Sequence, residues 1–584
     1  MAKGNNSKII EKKQNQIKKL LEWAITNDCT IPDLYHFTYD EKKNSVYCKL
    51  SKNTSMNRMK LKISPLKIDE KLMLTNTKAL LALESHFDKV ALEDLRATNT
   101  NALIKIFLCC FKNSLFEENK MMKFMSPYLN ILPQDNISST LFWSNEELDI
   151  VKNTDLYRKT NILINEIEAE YLKIKNTLKN VKFSFEDYKW AHYIILSRAF
   201  PSVVIEDSDD PNLKLKEGML WPIVDLLNHS NKVKVQWKTV FDNGKKVQYI
   251  HEKLEEDDFN VDEEDEFEIF NNYGETKNTE DLIISYGFGI KDLEEDYLTI
   301  TSRVANKEYV IMCEQIYGVN FSEYFEDEKN PGNYIVRFKL LPNTFPIYLI
   351  KFFAVACRLS SEDFISKRSI LEGILHLNST FNMMLPNYKN KLIASKPINQ
   401  NIIELLKVYQ YNSKKILQSA LDTLQQYTNT LIDSKTNNDI LSYKSELASD
   451  KKFQKILNHY LKCSQYKELK KNEESLFNIS LLLFIIYCSK KDFSQVDEIE
   501  DNTEENTVFI KQNFNKIYKT YEFTDEDYME YAPTFTPFIE NPCEWLELKL
   551  EDFIIADIAV DRLTWEKQTN NEVFFIKQEK YVLN

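Results

Sequence analysis

The stretch Leu220-Trp221-Pro222-Ile223-Val224-Asp225-Leu226-Leu227-Asn228-His229-Ser230 runs apolar residues straight into a small polar cluster. Asn272-Tyr273-Gly274-Glu275-Thr276-Lys277-Asn278-Thr279-Glu280-Asp281-Leu282-Ile283-Ile284-Ser285-Tyr286-Gly287-Phe288 is a second block of the same kind. Such transitions are expected where a buried segment surfaces at a site wall. Between the blocks, Val233-Lys234-Val235-Gln236-Trp237 alternates as a strand. Phe241-Asp242-Asn243-Gly244-Lys245 is a turn signal, and Val247-Gln248-Tyr249-Ile250 is the return strand. Residues 255–265 form an acidic loop that reads as a solvated insertion.

Upstream, apolar residues at Ile9, Ile10, Ile17, Leu20, Leu21 and Ala24 share one helical face. Residues 46–50 and 59–63 alternate as strands around a polar loop at 51–58, and residues 71–74 suggest a third strand. The period then lengthens: Leu103, Ile104, Ile106, Phe107 and Cys110 read as a buried helix, and residues 166–178 as another. A further helix is expected over 185–200, ending on Ser197-Arg198-Ala199-Phe200 with Pro201 as the stop. Downstream, 334–338 reads as a strand. Helices are expected over 347–358, 361–377, 401–434, 452–469 and 473–489, with a second acidic loop at 496–507.

The 584 residues exceed one ordinary core, so several cooperating domains are expected. With only 9 Gly and 15 Pro, long helices are favoured over flexible arms. A net charge of -14 argues against a nucleic-acid surface and for basic partners. The nine cysteines contain no C-x-x-C, which supports neither zinc binding nor a disulfide framework and points to a reducing compartment. No apolar run is long enough to span a bilayer, and the N-terminal residues lack a signal-like core. Phosphate-loop, dinucleotide, zinc-protease and serine-hydrolase motifs are missing.

Arg198 within Ser197-Arg198-Ala199-Phe200, the run Asp225 to Ser230, and the run from Tyr273-Gly274 to Tyr286-Gly287-Phe288 together resemble a SET-domain protein methyltransferase. They are most similar to the Rubisco large-subunit methyltransferase-like branch, whose members modify ribosomal proteins, elongation factors, cytochrome c and, in one subgroup, an actin histidine. Residues 127–133 and 143–148 resemble that branch's helical insertion. The resemblance implies an α+β fold, with a SET-type β core split by a helical insertion and followed by a mostly α-helical C-terminal domain. The expected divisions are 1–100 and 201–300 for the two core parts, 101–200 for the insertion, and 301–584 for a substrate-binding domain.

Carried over, the resemblance implies S-adenosylmethionine as cofactor and no catalytic metal. Arg198 would contact the amino-acid end of the cofactor, and Asn228 and His229 would hold it. Tyr286 would be catalytic, while Ser197, Phe200, Asp225 and Tyr297 would line the acceptor channel. The branch's glycine-rich turn near the cofactor has no counterpart in the glycine-free loop 51–58.

The chemistry suits these residue types. An amine, a methyl carbon and a sulfur must be aligned for in-line displacement, so positioning dominates. A lysine with its ordinary pKa of about 10.4 must lose a proton first, which an apolar channel beside a sulfonium assists. The expected activity is protein-lysine N-methylation of a basic, non-histone protein, a ribosomal protein or elongation factor first and cytochrome c next. The alternatives are a protein-histidine methyltransferase and an inactive SET-like binding module. A monomer in the cytoplasm, with the nucleus as a second location, is expected, without nucleic-acid or membrane partners.

Overall fold

The computed structural model describes residues 2–33, 35–41, 45–50, 65–99, 101–205, 217–251, 267–389, 398–433, 439–471, 474–491 and 507–583. The expected strand at 59–63, the loop at 51–58 and the acidic loops at 255–265 and 496–506 lie outside them. By contacts the chain forms two units: Met1–Asp296 with Asn387–Asn412, and Tyr297–Pro386 with Ser413–Asn584.

The first unit opens with helix α1 (Ala2–Thr26), which buries Ile17, Leu20 and Ala24 on one face. Hairpin β1 (Tyr35–Asp40) and β2 (Ser45–Leu50) then forms, and β8 (Phe267–Ile269) adds antiparallel to β2. A second sheet has the order β3-β7-β6, built from Leu66–Asp69, Lys245–His251 and Val235–Phe241. Asn243 and Gly244 make its β6–β7 turn with positive φ, as the sequence signal requires. A two-stranded pair, β4 (Ala199–Pro201) and β5 (Gly218–Leu220), completes the strands.

The sequence places its third strand a few residues too late. The strand is Leu66–Asp69, and Glu70–Leu72 is a 3-10 turn because the Asp69 carboxylate accepts from the Lys71 N–H and caps it.

Between β3 and β4 lies the helical insertion: α2 (Asn76–Leu83), α3 (Lys89–Thr98), α4 (Ala102–Lys112), α5 (Lys120–Leu129), α6 (Asn145–Asp149), α7 (Asp155–Leu178) and α8 (Phe185–Arg198). Helix α8 starts in a capping box between Ser184 and Asp187 and buries Tyr188, Trp190, Ala191, Tyr193, Ile194 and Ile195. It ends at Arg198, two residues before the expected end at Phe200. Phe200 precedes a proline, which disfavours helical backbone, and residues 199–201 pair instead with β5.

Helix α9 (Thr279–Tyr286) follows β8, with Asn278 as its N-cap and Gly287 as its left-handed C-cap. Among the described residues of this unit the core is continuous, and Leu103, Phe107, Trp190, Trp221 and Tyr249 are among its members.

In the second unit, β9 (Leu298–Val304), β10 (Glu323–Glu326) and β11 (Tyr334–Leu340) form an antiparallel sheet of order β10-β11-β9, with α10 (Lys307–Gln315) between β9 and β10. Helices α11 (Ile347–Ala356) and α12 (Lys367–Met384) pack together. The expected start of α12 at 361 moves to 367, because Ser366 caps it through Ser369. Helix α13 (Gln400–Leu431) begins in the first unit and ends in the second. The remaining helices, among them α14 (Tyr443–Ser449), α15 (Lys451–Leu461), α16 (Tyr466–Lys471) and α17 (Glu474–Lys490), surround a core centred on Tyr443, Phe453 and Phe484. The single helix expected over 452–469 is two helices, broken where Lys462 takes positive φ. The chain is therefore α+β, with a β core split by helices and a largely helical C-terminal part.

All nine cysteines are free, and eight are buried; Cys357 is half-buried.

A Cβ at Gly287 would sit 2.7 Å from the Ser139 nitrogen, and its φ is +76°. Gly287→Ala is expected to destabilise the protein by about 1–3 kcal/mol, read from denaturant midpoints. An unchanged midpoint would refute the close packing of this turn.

Candidate active site

The two sequence blocks meet through backbone pairing. The Asn271 N–H donates to the Asn228 carbonyl at 2.7 Å, and the Ser230 N–H donates to the Asn271 carbonyl at 2.9 Å. The Tyr273 N–H donates to His229 Nδ1 at 3.0 Å. That acceptor role places the neutral ring's proton on Nε2. Burial pushes the His229 pKa down to about 4, so the imidazole is neutral at pH 7.

A run of stacked rings follows from this pairing. His229 lies on Tyr273 with centroids 5.1 Å apart, and Tyr273 lies on Tyr286 at 4.6 Å with planes 25° apart. Phe288 closes the row 6.0 Å from Tyr286, and Lys277 Nζ sits 5.4 Å from the Tyr286 ring centroid. The Tyr273 hydroxyl donates to the Leu227 carbonyl at 2.8 Å, directly before Asn228. Burial pushes the Tyr286 phenol up to about 12, with Asp281 adding to it, and burial likewise raises Tyr273. Both phenols are therefore neutral at pH 7 and act as hydrogen-bonding groups, not as phenolate bases.

Next to this row lies an ion pair whose carboxylate is buried and whose guanidinium is half-buried. Arg198, the last residue of α8, donates from Nη1 to the Asp225 carbonyl at 2.8 Å and to Asp225 Oδ2 at 3.2 Å. The Tyr128 hydroxyl donates to the same carboxylate oxygen at 2.8 Å. Burial pushes the Asp225 carboxyl up, while the Arg198 guanidinium and the Tyr128 phenol pull the other way. Two polar atoms here, Arg198 Nε and Asp225 Oδ1, are buried without a hydrogen-bond partner among the described residues. A donor and an acceptor left so in a buried site fit a zwitterionic amino-acid group such as S-adenosylmethionine carries.

Asn228 Nδ2 donates to Glu268 Oε1 at 2.6 Å, which fixes its side chain. Ser197 Oγ donates to the Tyr193 carbonyl one turn back in α8 at 2.7 Å. The Phe200 ring is buried edge-on against Trp221 at 5.1 Å and Trp237 at 5.2 Å. Tyr297 opens the second unit, where Lys339 Nζ lies 4.3 Å from its ring centroid.

The structure thus gathers Arg198 with Asp225 and His229 with Tyr286. It also adds Tyr273, Tyr128 and Glu268, which sequence reasoning did not single out. The signal for Tyr273 was present, since Tyr-Gly occurs twice in the second block, at Tyr273-Gly274 and Tyr286-Gly287. Tyr128 lies within the 127–133 segment and Glu268 just before the second block, and neither carries a local signal for the side-chain partner it meets.

The fold is that of SET-domain proteins, and similarity to protein-lysine methyltransferases runs along the chain. The EFM1 middle domain family matches residues 297–435. The chain is 26% identical over 626 residues to Protein-lysine N-methyltransferase EFM1 of Saccharomyces cerevisiae, covering 98% of this chain and 99% of that protein. It is 23% identical over 505 residues to Ribosomal lysine N-methyltransferase 1 of the same yeast, covering 75% and 80%. Among solved structures, the SET domain of LSMT bound to lysine and AdoHcy aligns with a TM-score of 0.50 at 16% identity, covering 79% of this chain and 99% of that one. The same domain bound to MeLysine and AdoHcy gives 0.52 at 15%, covering 78% and 99%.

The His229 ring should titrate with a midpoint near 4, followed by NMR of its ring protons. The sign follows: with the folded pKa depressed, its contribution to stability is complete above the unfolded value of about 6.5 and is lost as pH falls toward 4. A midpoint at 6 or above would overturn the buried, neutral assignment.

Proposed function

We propose that this chain is an S-adenosylmethionine-dependent protein-lysine N-methyltransferase acting on a non-histone protein. A ribosomal protein or an elongation factor is the leading substrate class, and cytochrome c the next. The observation that carries the reading is the neutral His229-Tyr273-Tyr286 stack set beside the buried Arg198–Asp225 pair with its two unpartnered polar atoms. Two similarities support it: nearly full-length similarity to one yeast protein-lysine methyltransferase, and the name of a second relative that refers to ribosomal lysine.

In this reading Asn228 and His229 hold the cofactor, and Arg198 holds its amino-acid end through Nε. S-adenosylmethionine supplies an electrophilic methyl group. The chain's own residues orient the acceptor amine, strip water from it and favour its neutral form. The aromatic pair Tyr273 and Tyr286 is the acceptor wall, continued by Ser197, Phe200 and Asp225, while Tyr297, the fourth expected channel residue, belongs to the second unit. Tyr273 shares the catalytic assignment with Tyr286, because its hydroxyl is anchored on the Leu227 carbonyl next to the cofactor grip. The net charge of -14 favours a basic substrate. Among the described residues no helix is long and apolar enough to cross a membrane. A cytoplasmic monomer belongs to the same proposal.

Calorimetry should show S-adenosylmethionine binding, and labelled methyl groups should appear on lysine in extract from cells lacking the protein, read by mass spectrometry. No cofactor binding, or label on histidine alone, would sink the lysine reading. Tyr273→Phe should cut turnover on the order of 10²-fold with cofactor affinity kept, since one positioned catalytic group typically contributes that much. Tyr286→Phe should cut turnover at least as much, on the order of 10²- to 10⁴-fold, with cofactor affinity kept. Unchanged turnover in Tyr286→Phe would remove that residue from the catalytic assignment.

A further inference from the structure

The row of rings that forms the proposed acceptor wall rests on a short element, α9 and the loop behind it, with Tyr286 and Phe288 at its far end. One buried side chain holds both ends of that element. Asn412, on α13, donates through Nδ2 to Thr279 Oγ1 at 2.9 Å and to the Ile290 carbonyl at 2.8 Å. Its Oδ1 accepts from the Asp292 N–H at 3.0 Å. Thr279 is the first residue of α9, and Ile290 and Asp292 lie beyond Phe288. The Asn412 amide therefore fixes the separation between the start of the helix and the loop after it, and the two wall residues lie between those anchors in the chain.

The anchors are themselves set. Thr279 donates from its backbone N–H to Asp296 Oδ1 at 2.9 Å and from its hydroxyl to Asp296 Oδ2 at 2.5 Å. The next residue, Glu280, accepts from the Tyr409 hydroxyl at 2.9 Å and pairs with Lys159 Nζ at 2.8 Å. Asn412, Thr279, Glu280 and Asp296 are each no more than 4% exposed. One turn before Asn412 on α13, Val408 packs so closely on Gly289 that a Cβ there would lie 3.1 Å from it. In a buried network of this kind, removing one partner leaves the others unsatisfied.

We propose that Asn412 is a positioning residue for the Tyr286–Phe288 wall, so that a residue more than a hundred positions downstream of the site motifs belongs to the catalytic apparatus. It touches neither acceptor nor cofactor, and it acts by holding α9 and residues 290–292 in one geometry. Its functional consequence rests on the methyl transfer proposed above, while its structural consequence does not.

The test uses the full chain and the Asn412→Ala variant, with Tyr188→Phe as a control. The control removes a buried hydroxyl from Glu170 in the helical insertion, away from the site. Hydrogen exchange is read first, and the backbone amides of residues 279–292 in Asn412→Ala should exchange at least tenfold faster than in the unsubstituted chain. Labelled methyl transfer to the acceptor extract at saturating S-adenosylmethionine is read second. It should fall roughly 10- to 100-fold, the scale of a misplacement of about 1 Å, while calorimetric cofactor affinity changes less than about twofold. Tyr188→Phe should lower the thermal midpoint and keep the transfer rate. Unaltered exchange in residues 279–292 overturns the bracing whether or not the chain proves to be a methyltransferase. Faster exchange with an unchanged transfer rate overturns the positioning role. A loss of cofactor affinity equal to the loss of rate does so as well, since the residue would then serve the cofactor grip. Absence of transfer by the unsubstituted chain overturns the proposed function, and the exchange result still decides the bracing.

Discussion

The site depends on one backbone junction, the bridge between His229 and Asn271. Two hydrogen bonds, from Asn271 to Asn228 and from Ser230 to Asn271, draw together segments that the β6–β7 hairpin and β8 separate in sequence. The Tyr273 N–H on His229 Nδ1 extends this junction to the side chain and sets the ring faces parallel. The stack, the imidazole tautomer and the anchoring of the Tyr273 hydroxyl all follow from that register. A slip of one residue would exchange inward for outward side chains and dissolve the site.

The ion pair of Arg198 and Asp225 gives the junction a fixed rear wall. Helix α8 delivers Arg198 at its last turn, and the turn to β4 puts Phe200 against Trp221 and Trp237. Removing two charges from water is unfavourable unless their geometry is good and their remaining valences are met. Here Tyr128 satisfies one carboxylate oxygen, while Asp225 Oδ1 and Arg198 Nε have no partner among the described residues. An incompletely satisfied buried pair is poor for stability alone and well suited to gripping a polar ligand.

Much of this was legible in the sequence. Periodicity gave α1, α4, α7 and α8, the Asn-Gly turn gave the β6–β7 hairpin, and the two blocks brought His229 and Tyr286 into one neighbourhood, with Arg198 upstream of them against Asp225. Boundaries were less legible where a side-chain cap or strand pairing overrode local preference, as at Asp69, Phe200 and Ser366. The strands β9 and β10 and the role of Asn412 were not legible. The partners of Asn412 lie far away in the chain, and nothing in its flanking residues records a hydrogen bond across more than a hundred positions, while β9 and β10 are short segments that pair antiparallel with β11. The choice between Tyr273 and Tyr286 is of the same kind, because identical Tyr-Gly pairs differ only in what their hydroxyls meet.

The burial of eight of nine cysteine thiols has a practical corollary. Burial holds thiols such as Cys48, Cys109 and Cys488 well above the ordinary range, so the reactive thiolate is scarce until the surrounding structure opens. Cys29, Cys48, Cys109 and Cys110 lie in the first unit, and Cys313, Cys357, Cys463, Cys488 and Cys543 in the second. The chain thus carries its own set of opening clocks: the rate at which each thiol takes up an alkylating reagent reports, unit by unit, how often that part of the fold comes apart.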